Sequence, residues 1–214
     1  MSLRRCRGSK RPDWTRRAWA VLAVTLVHNA EELLTVPAAL REPPVERLLE
    51  RWSLPAPRVE RAFRTLDWAV SCAATAATAW GTSRRQPALP GVLAATMLGN
   101  VVLPHVPATV RARGYAPGVV TAVTLVLPVT GRFLALAHRQ GLLTRRDLGR
   151  CASSGLALLV LGLPLGLVLA DRLTRALTLE DDRCRRTTSS RSARTSTHRG
   201  RRTSRSSTCR RWTS

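Results

Sequence analysis

The stretch TLVHNAEELL, residues 25–34, places one imidazole and two carboxylates inside an apolar run. An α-helix turns by about 100° per residue, so Glu31 falls about 60° to one side of His28 and Glu32 about 40° to the other. The three groups share one helical face, and Asn29 points about a quarter-turn away. An ionisable group within a membrane-spanning helix costs about 2.5–3.5 kcal/mol on insertion scales, and by default it marks function. Three chemistries suit this set. Imidazole nitrogen and carboxylate oxygen on one face form part of a site for zinc, iron or manganese. A Glu beside a metal-bound water can act as general base. Buried carboxylates with raised pKa values can also pass protons. A hydrogen-bonded patch that merely ties helices together is the structural alternative, and two carboxylates are a costly way to make one.

A metal requires ligands from a second helix. The run MLGNVVLPHVPATV offers Asn100 and His105, which lie 140° apart on a regular helix and so do not share a face. Pro104 and Pro107 flank His105, however, and a proline-broken helix re-aims side chains and frees carbonyls. At 1.5 Å per residue, Glu32 and His105 lie about 21 and 26 Å from the inner ends of their spans, close enough to meet. His28, Glu31, Glu32 and His105 are therefore expected in one polar pocket between the first and third spans. Tyr115 follows a turn-forming Gly114 and precedes Pro117-Gly118, which puts its phenol at the mouth of that pocket or at the membrane interface. Arg132 is placed to snorkel, and His138 and His198 receive no role.

The elements that must position these residues are apolar runs. Hydrophobic residues make up 44% of the 214-residue chain and aromatics only 4%, so a soluble core built on large rings is not expected. The predicted fold is an all-α, polytopic transmembrane bundle of about five spans, near 18–40, 62–80, 88–110, 117–137 and 152–170. The second reads SCAATAATAW at its end, and such small residues suit close helix packing in lipid. The first run could pass for a signal peptide, but no small-x-small cleavage site follows before Glu31, so an uncleaved helix is expected. Between the first two spans, Arg41–Arg64 reads as a loop with a short amphipathic helix on the membrane surface, where Val45, Leu48, Leu49 and Trp52 recur at helical spacing.

Charge distribution gives orientation. The basic N-terminus, residues 1–17, holds seven Lys and Arg, the Gly81–Pro87 loop two and the His138–Arg150 loop four. These group on one side, which makes the N-terminus cytoplasmic and the protein an integral component of the cell membrane. Five spans then leave the basic tail outside, against the same rule. That tail, residues 183–214, carries 11 Arg and no acid, half of the net charge of +22, and 26 of its 32 residues are Arg, Ser or Thr. It reads as disordered, and its abrupt change of composition after Asp182 fits a frameshift in GC-rich DNA or, alternatively, a genuine basic tail that binds anionic lipid head groups. Lacking a fold and holding a single aromatic, Trp212, it makes nucleic acid an unlikely partner. Five scattered cysteines, Cys6, Cys72, Cys151, Cys184 and Cys209, contain no C-x-x-C pair and read as isolated thiols.

Taken in order, His28-Asn29-Ala30-Glu31-Glu32, the later His105 and Tyr115-Ala116-Pro117-Gly118 resemble the HXXEE family of membrane proteins. That family is defined by an HXXEE motif, a second histidine and a YXPG motif, and the resemblance covers about residues 18–137. The family has no established function and is suspected to be enzymatic and metal-dependent; carried over by motif, the candidate site residues are His28, Glu31, Glu32, His105 and Tyr115. The expectation is a membrane-embedded hydrolase acting on a lipid or similarly apolar substrate. His28, Glu32 and His105 would hold a divalent metal, Glu31 would be general base and Tyr115 would stabilise an oxyanion, with the two glutamates able to exchange roles. A small transporter or proton-coupled binding protein using the carboxylates is the alternative, and a structural membrane protein without ligand is a second.

Overall fold

The computed structural model describes residues 13–112 and 115–176. The N-terminal residues 1–12 and the Arg-rich tail lie outside the described residues, as do Cys6, Cys184, Cys209 and His198. Every regular element among the described residues is helical. The first helix, α1, spans Trp14–Ala39, and α2 is the short Pro43–Arg51. Helix α3 spans Ala56–Ser83. Helix α4 begins as Ala88–Asn100, widens into a π turn at Val101–His105 and continues as Val106–Ala112. Helices α5 (Val119–Arg139) and α6 (Arg145–Ala176) complete the chain.

Local chemistry fixes the boundaries. Pro57 in α3 and Pro43 in α2 supply the preset φ that the first helical turn accepts, and Pro55 is the extended residue just before α3. This moves the start of α3 to Ala56, ahead of the expected 62. Part of the Arg41–Arg64 loop is therefore helix, because nothing after Pro57 breaks the pattern. The expected surface helix is α2: none of its residues is buried, and Leu48 is 55% exposed. Thr144 and Asp147 cap α6 with a reciprocal capping box. His138, given no role above, contacts the Leu143 carbonyl through Nδ1 at 3.0 Å and ties down the turn between α5 and α6.

The core is a trio of helices. Trp14, Ala18 and Val21 of α1 pack against Ala94 of α4 and Phe133 of α5. Beside them, Met97 and Val101 of α4 meet Ala122 and Val126 of α5. Small residues permit this closeness, and α6 shows why: a methyl added at Gly155 would lie 2.8 Å from the Thr96 backbone nitrogen of α4. On the other flank, α3 is joined to α1 by a hydrogen bond from Asn29 Nδ2 to Ser71 Oγ at 2.9 Å.

Among the described residues three π turns occur, at Val101–His105, Ala122–Val126 and Leu158–Gly162; the first contains Pro104, and the others end two residues before Pro128 and Pro164. Proline cannot donate to the carbonyl four residues back, and a locally wider helix absorbs the missing bond.

Two helices, α5 and α6, are long and apolar enough to cross a membrane, with mean hydropathies of 1.9 and 2.1. Only 6% of the apolar window of α6 is buried, so its leucines and valines face outward. The other long helices fall short for identifiable reasons. Arg16, Arg17, Glu31 and Glu32 interrupt α1, and the first half of α3 holds Arg58, Glu60, Arg61, Arg64 and Asp67. The apolar part of α4, Ala88–Leu103, is short of the roughly 20 residues a crossing requires.

Candidate metal centre

His28 projects from α1 into the α4–α5 interface and is 1% exposed. Its Nδ1 lies 2.9 Å from Thr121 Oγ1, at the start of α5. The same hydroxyl lies 2.5 Å from Glu31 Oε2. A hydroxyl has one proton and a carboxylate accepts only, so Thr121 donates to Glu31 and receives from His28 Nδ1–H. For a neutral ring this assigns the tautomer. His28 Nε2 is left with a lone pair, aimed at α4.

Helix α4 supplies the counterpart. Its π turn carries His105 round until Asn100 Nδ2 lies 3.1 Å from His105 Nε2 and equally 3.1 Å from His28 Nε2. The 140° separation expected of Asn100 and His105 on a regular helix is removed by that widened turn. The two imidazoles meet edge to face, with ring centres 4.9 Å apart. Glu32 completes the group: its Oε1 is 3.1 Å from His105 Nε2 and 3.5 Å from His28 Nε2.

The two glutamates part company. Glu31 Oε1 accepts from the Tyr115 hydroxyl at 2.6 Å, and Oε2 accepts from the Thr121 backbone N–H at 2.9 Å as well as from its hydroxyl. The wide face they share, 100° between them, lets Glu31 serve α5 while Glu32 serves α4. Tyr115, 53% exposed, thus reaches the site through Glu31. Gly118 closes the floor with φ +77°, and a Cβ there would lie 2.9 Å from Glu32 Cγ and from Cε1 of both histidines. Only glycine permits both that conformation and that approach.

The ligand atoms of His28, Glu32 and His105 all lie within 4.8 Å of one another, as a group able to hold a metal ion does. With bonds of 2.0–2.2 Å, ligand atoms on one metal are at most about 4.4 Å apart, so small side-chain adjustments suffice. The donor set fits a cation. Within the group, His105 Nε2 faces both a donor, Asn100 Nδ2, and an acceptor, Glu32 Oε1, and one ring nitrogen cannot satisfy both. A cation would take up the two ring lone pairs and the carboxylate together.

Glu32 and Asn100 also line a cavity of about 370 Å³ bounded by α1, α3, α4 and α6. Its walls are otherwise mostly apolar, except for Asn29, Thr96 and Asp67. Sequence reasoning passed over Thr121 and Asp67, and it read Gly118 only as part of a turn and of the YXPG motif. Asp67 had a readable signal, since it is an ionisable residue in an otherwise apolar segment, LDWAVSCAA, as His28 is. Arg132 is exposed and outside the site, as expected.

These features define an all-α bundle with a buried histidine–glutamate cluster at the junction of three helices. The family described as "protein of unknown function with HXXEE motif" matches residues 19–132, and the chain belongs to that family. No curated protein and no solved structure matches the chain.

Proposed function

We propose that this chain is an integral membrane protein whose five long helices cross the bilayer, with a cytoplasmic N-terminus, and that it is a metal-dependent hydrolase of an apolar, lipid-like substrate. His28, Glu32 and His105 would hold the metal, which could be zinc, iron or manganese. The observation that carries this reading is that Glu32, which contacts both histidines, also lines a mostly apolar cavity. When bound, a metal of this kind supplies Lewis acidity and lowers the pKa of a coordinated water.

The chain's own residues would divide the remaining work. Glu32 touches both imidazoles through Oε1, which leaves Oε2 as the oxygen available to take a proton in the cavity. Glu31, held by three donors, keeps His28 oriented through Thr121, as carboxylates behind metal-bound histidines commonly do. This exchanges part of the roles expected for the two glutamates. Tyr115 holds Glu31, and an oxyanion role would require its hydroxyl to leave that carboxylate.

One observation favours the proton-coupled reading as second choice. Polar contacts run without a gap from exposed Tyr115 through Glu31, Thr121, His28, Asn100 and His105 to Glu32 at the cavity. Metal analysis of purified protein and of His28→Ala separates the two. The hydrolase reading expects a stoichiometric metal that the variant loses. Metal-free protein that conducts protons in liposomes would establish the second reading instead.

A further inference from the structure

Asp67 sits on α3 within the apolar segment that includes Leu66 and Val70, and it is 7% exposed. It lines the same cavity as Glu32. Among the described residues, no hydrogen-bond donor or cationic side chain reaches its carboxylate, and Glu32 is its charged neighbour. A buried carboxylate without a partner is strongly unfavourable, so the partner is expected to come from outside the chain.

The cavity wall says what kind of partner. It contains two acids and no Lys, Arg or His. A phosphate or carboxylate head group would meet the like charge of Asp67 there whether or not Glu32 holds a metal. Asn29 donates its Nδ2 to Ser71, which leaves its amide oxygen as a further acceptor on the same wall. A protonated amine has three donors and no acceptor, and it matches this set. Apart from Asn29, Glu32, Asp67, Thr96 and Asn100, the lining is apolar and includes Phe63, Leu66, Leu93, Met97 and Leu159. The volume of about 370 Å³ lies within the range of about 300–1,000 Å³ usual for small-molecule sites.

We propose that this cavity binds a single-chain amphiphile with a protonated amine, its ammonium on Asp67 and its chain along the apolar wall. The route in is visible. Val70 of α3 and Leu158 and Leu163 of α6 line the cavity and are also 43%, 53% and 40% exposed, so it opens along the seam between those helices. In a bilayer that seam faces the acyl chains, from which an amphiphile would enter. The inference rests on the apolar-substrate reading of the cavity and is independent of the metal.

Saturable binding of dodecylamine, dodecanol and dodecanoate to the full-length protein in nanodiscs of zwitterionic lipid tests it. The amine should bind at least about tenfold more tightly than the alcohol, as a charge-assisted pair with a buried carboxylate implies, and the carboxylate should not compete. Asp67→Asn should abolish the preference while leaving the alcohol unchanged, and Asp67→Glu should retain most of it. Equal binding of amine and alcohol to the wild type would overturn the proposal, as would a preference that survives in Asp67→Asn. The His28→Ala variant keeps the two readings apart. An amine preference persisting there leaves this inference standing whatever becomes of the metal, whereas metal binding without an amine preference overturns this inference alone.

Discussion

Glu31 faces α5, where Tyr115 and Thr121 direct three donors at its two oxygens, while Glu32, the next residue, faces α4 and meets two imidazole nitrogens at the edge of a cavity. The first environment is complete as it stands. The second is not, because its nitrogens and oxygen converge without enough protons to satisfy them. On the metal-dependent reading proposed above, adjacent and chemically identical residues would have different work, one to hold a ligand in place and the other to be a ligand. The division comes from the helices they reach and not from their spacing on α1.

The largest expected effect tests the Glu32 side. His28→Ala and His105→Ala should each reduce bound metal from one per chain to below about one-tenth, since loss of a direct ligand should exceed the 10–100-fold effects of outer residues. Metal content of purified protein reads this directly. Retention of one metal per chain in both variants would place the site elsewhere.

Gly118 lies beneath both environments, and Gly118→Ala should disturb them together. A non-glycine residue at φ +77° costs about 1–3 kcal/mol, and the added methyl also meets Glu32, His28 and His105 at 2.9 Å. For a chain of this size, each kcal/mol moves Tm by about 2–4 °C, so a fall of at least several degrees is expected, with weaker metal binding. Gly131→Ala is the control. Nothing lies within 4 Å of the methyl it would add inside α5, and it should be neutral or stabilising.

The Glu31 side predicts smaller changes. Thr121→Val breaks the link from Glu31 to His28 Nδ1, and Glu31→Gln weakens its anchor. Each should lower metal affinity about 10–100-fold without abolishing binding, and Thr121→Ser should restore it. Should Glu31→Gln instead bind metal at full affinity and lose 10²–10⁴ in turnover, Glu31 would be the general base that its place in the motif first led us to expect.

This contrast also shows what the sequence could carry. Among the described residues the long helices were legible in outline because their ends are marked by Pro, Gly and charge, although only α5 and α6 are apolar enough to cross a membrane. The meeting of His28, Glu32 and His105 was legible because ionisable groups are costly in apolar helices. The split between Glu31 and Glu32 was not, because helical periodicity gives angles about one axis and says nothing of which neighbour lies on each side. Asn100 was set aside on a regular-helix angle that a π turn removes. Thr121 gave no signal at all, since a threonine within a helix ordinarily bonds to its own backbone, as Thr25 does to the Val21 carbonyl at 2.8 Å.

The smallest effect belongs to the cavity's far rim. Arg58, in the first turn of α3, makes a two-pronged ion pair with Asp171 near the end of α6, at 2.5 and 2.8 Å. One turn inward on α6, Gly166 lies against Leu66, so close that an added methyl would come within 2.6 Å of Leu66 Cδ1. These contacts hold α3 to α6 at one end of the seam along which the cavity opens. The arginine side chain is 32% exposed, and ion pairs of that kind contribute about 0.2–1 kcal/mol, less at high salt. Arg58→Met should therefore lower the unfolding free energy by no more than about 1 kcal/mol, and the loss should shrink as salt is added. Neither glutamate touches this pair, so metal content should be unchanged. What should change is traffic through the seam: a chain-bearing ligand should leave the variant faster than it leaves the wild type, at nearly equal stability. An altered metal content in Arg58→Met would mean that the rim and the Glu32 side are coupled through α3, and the separation drawn between the two environments would then have to include a third.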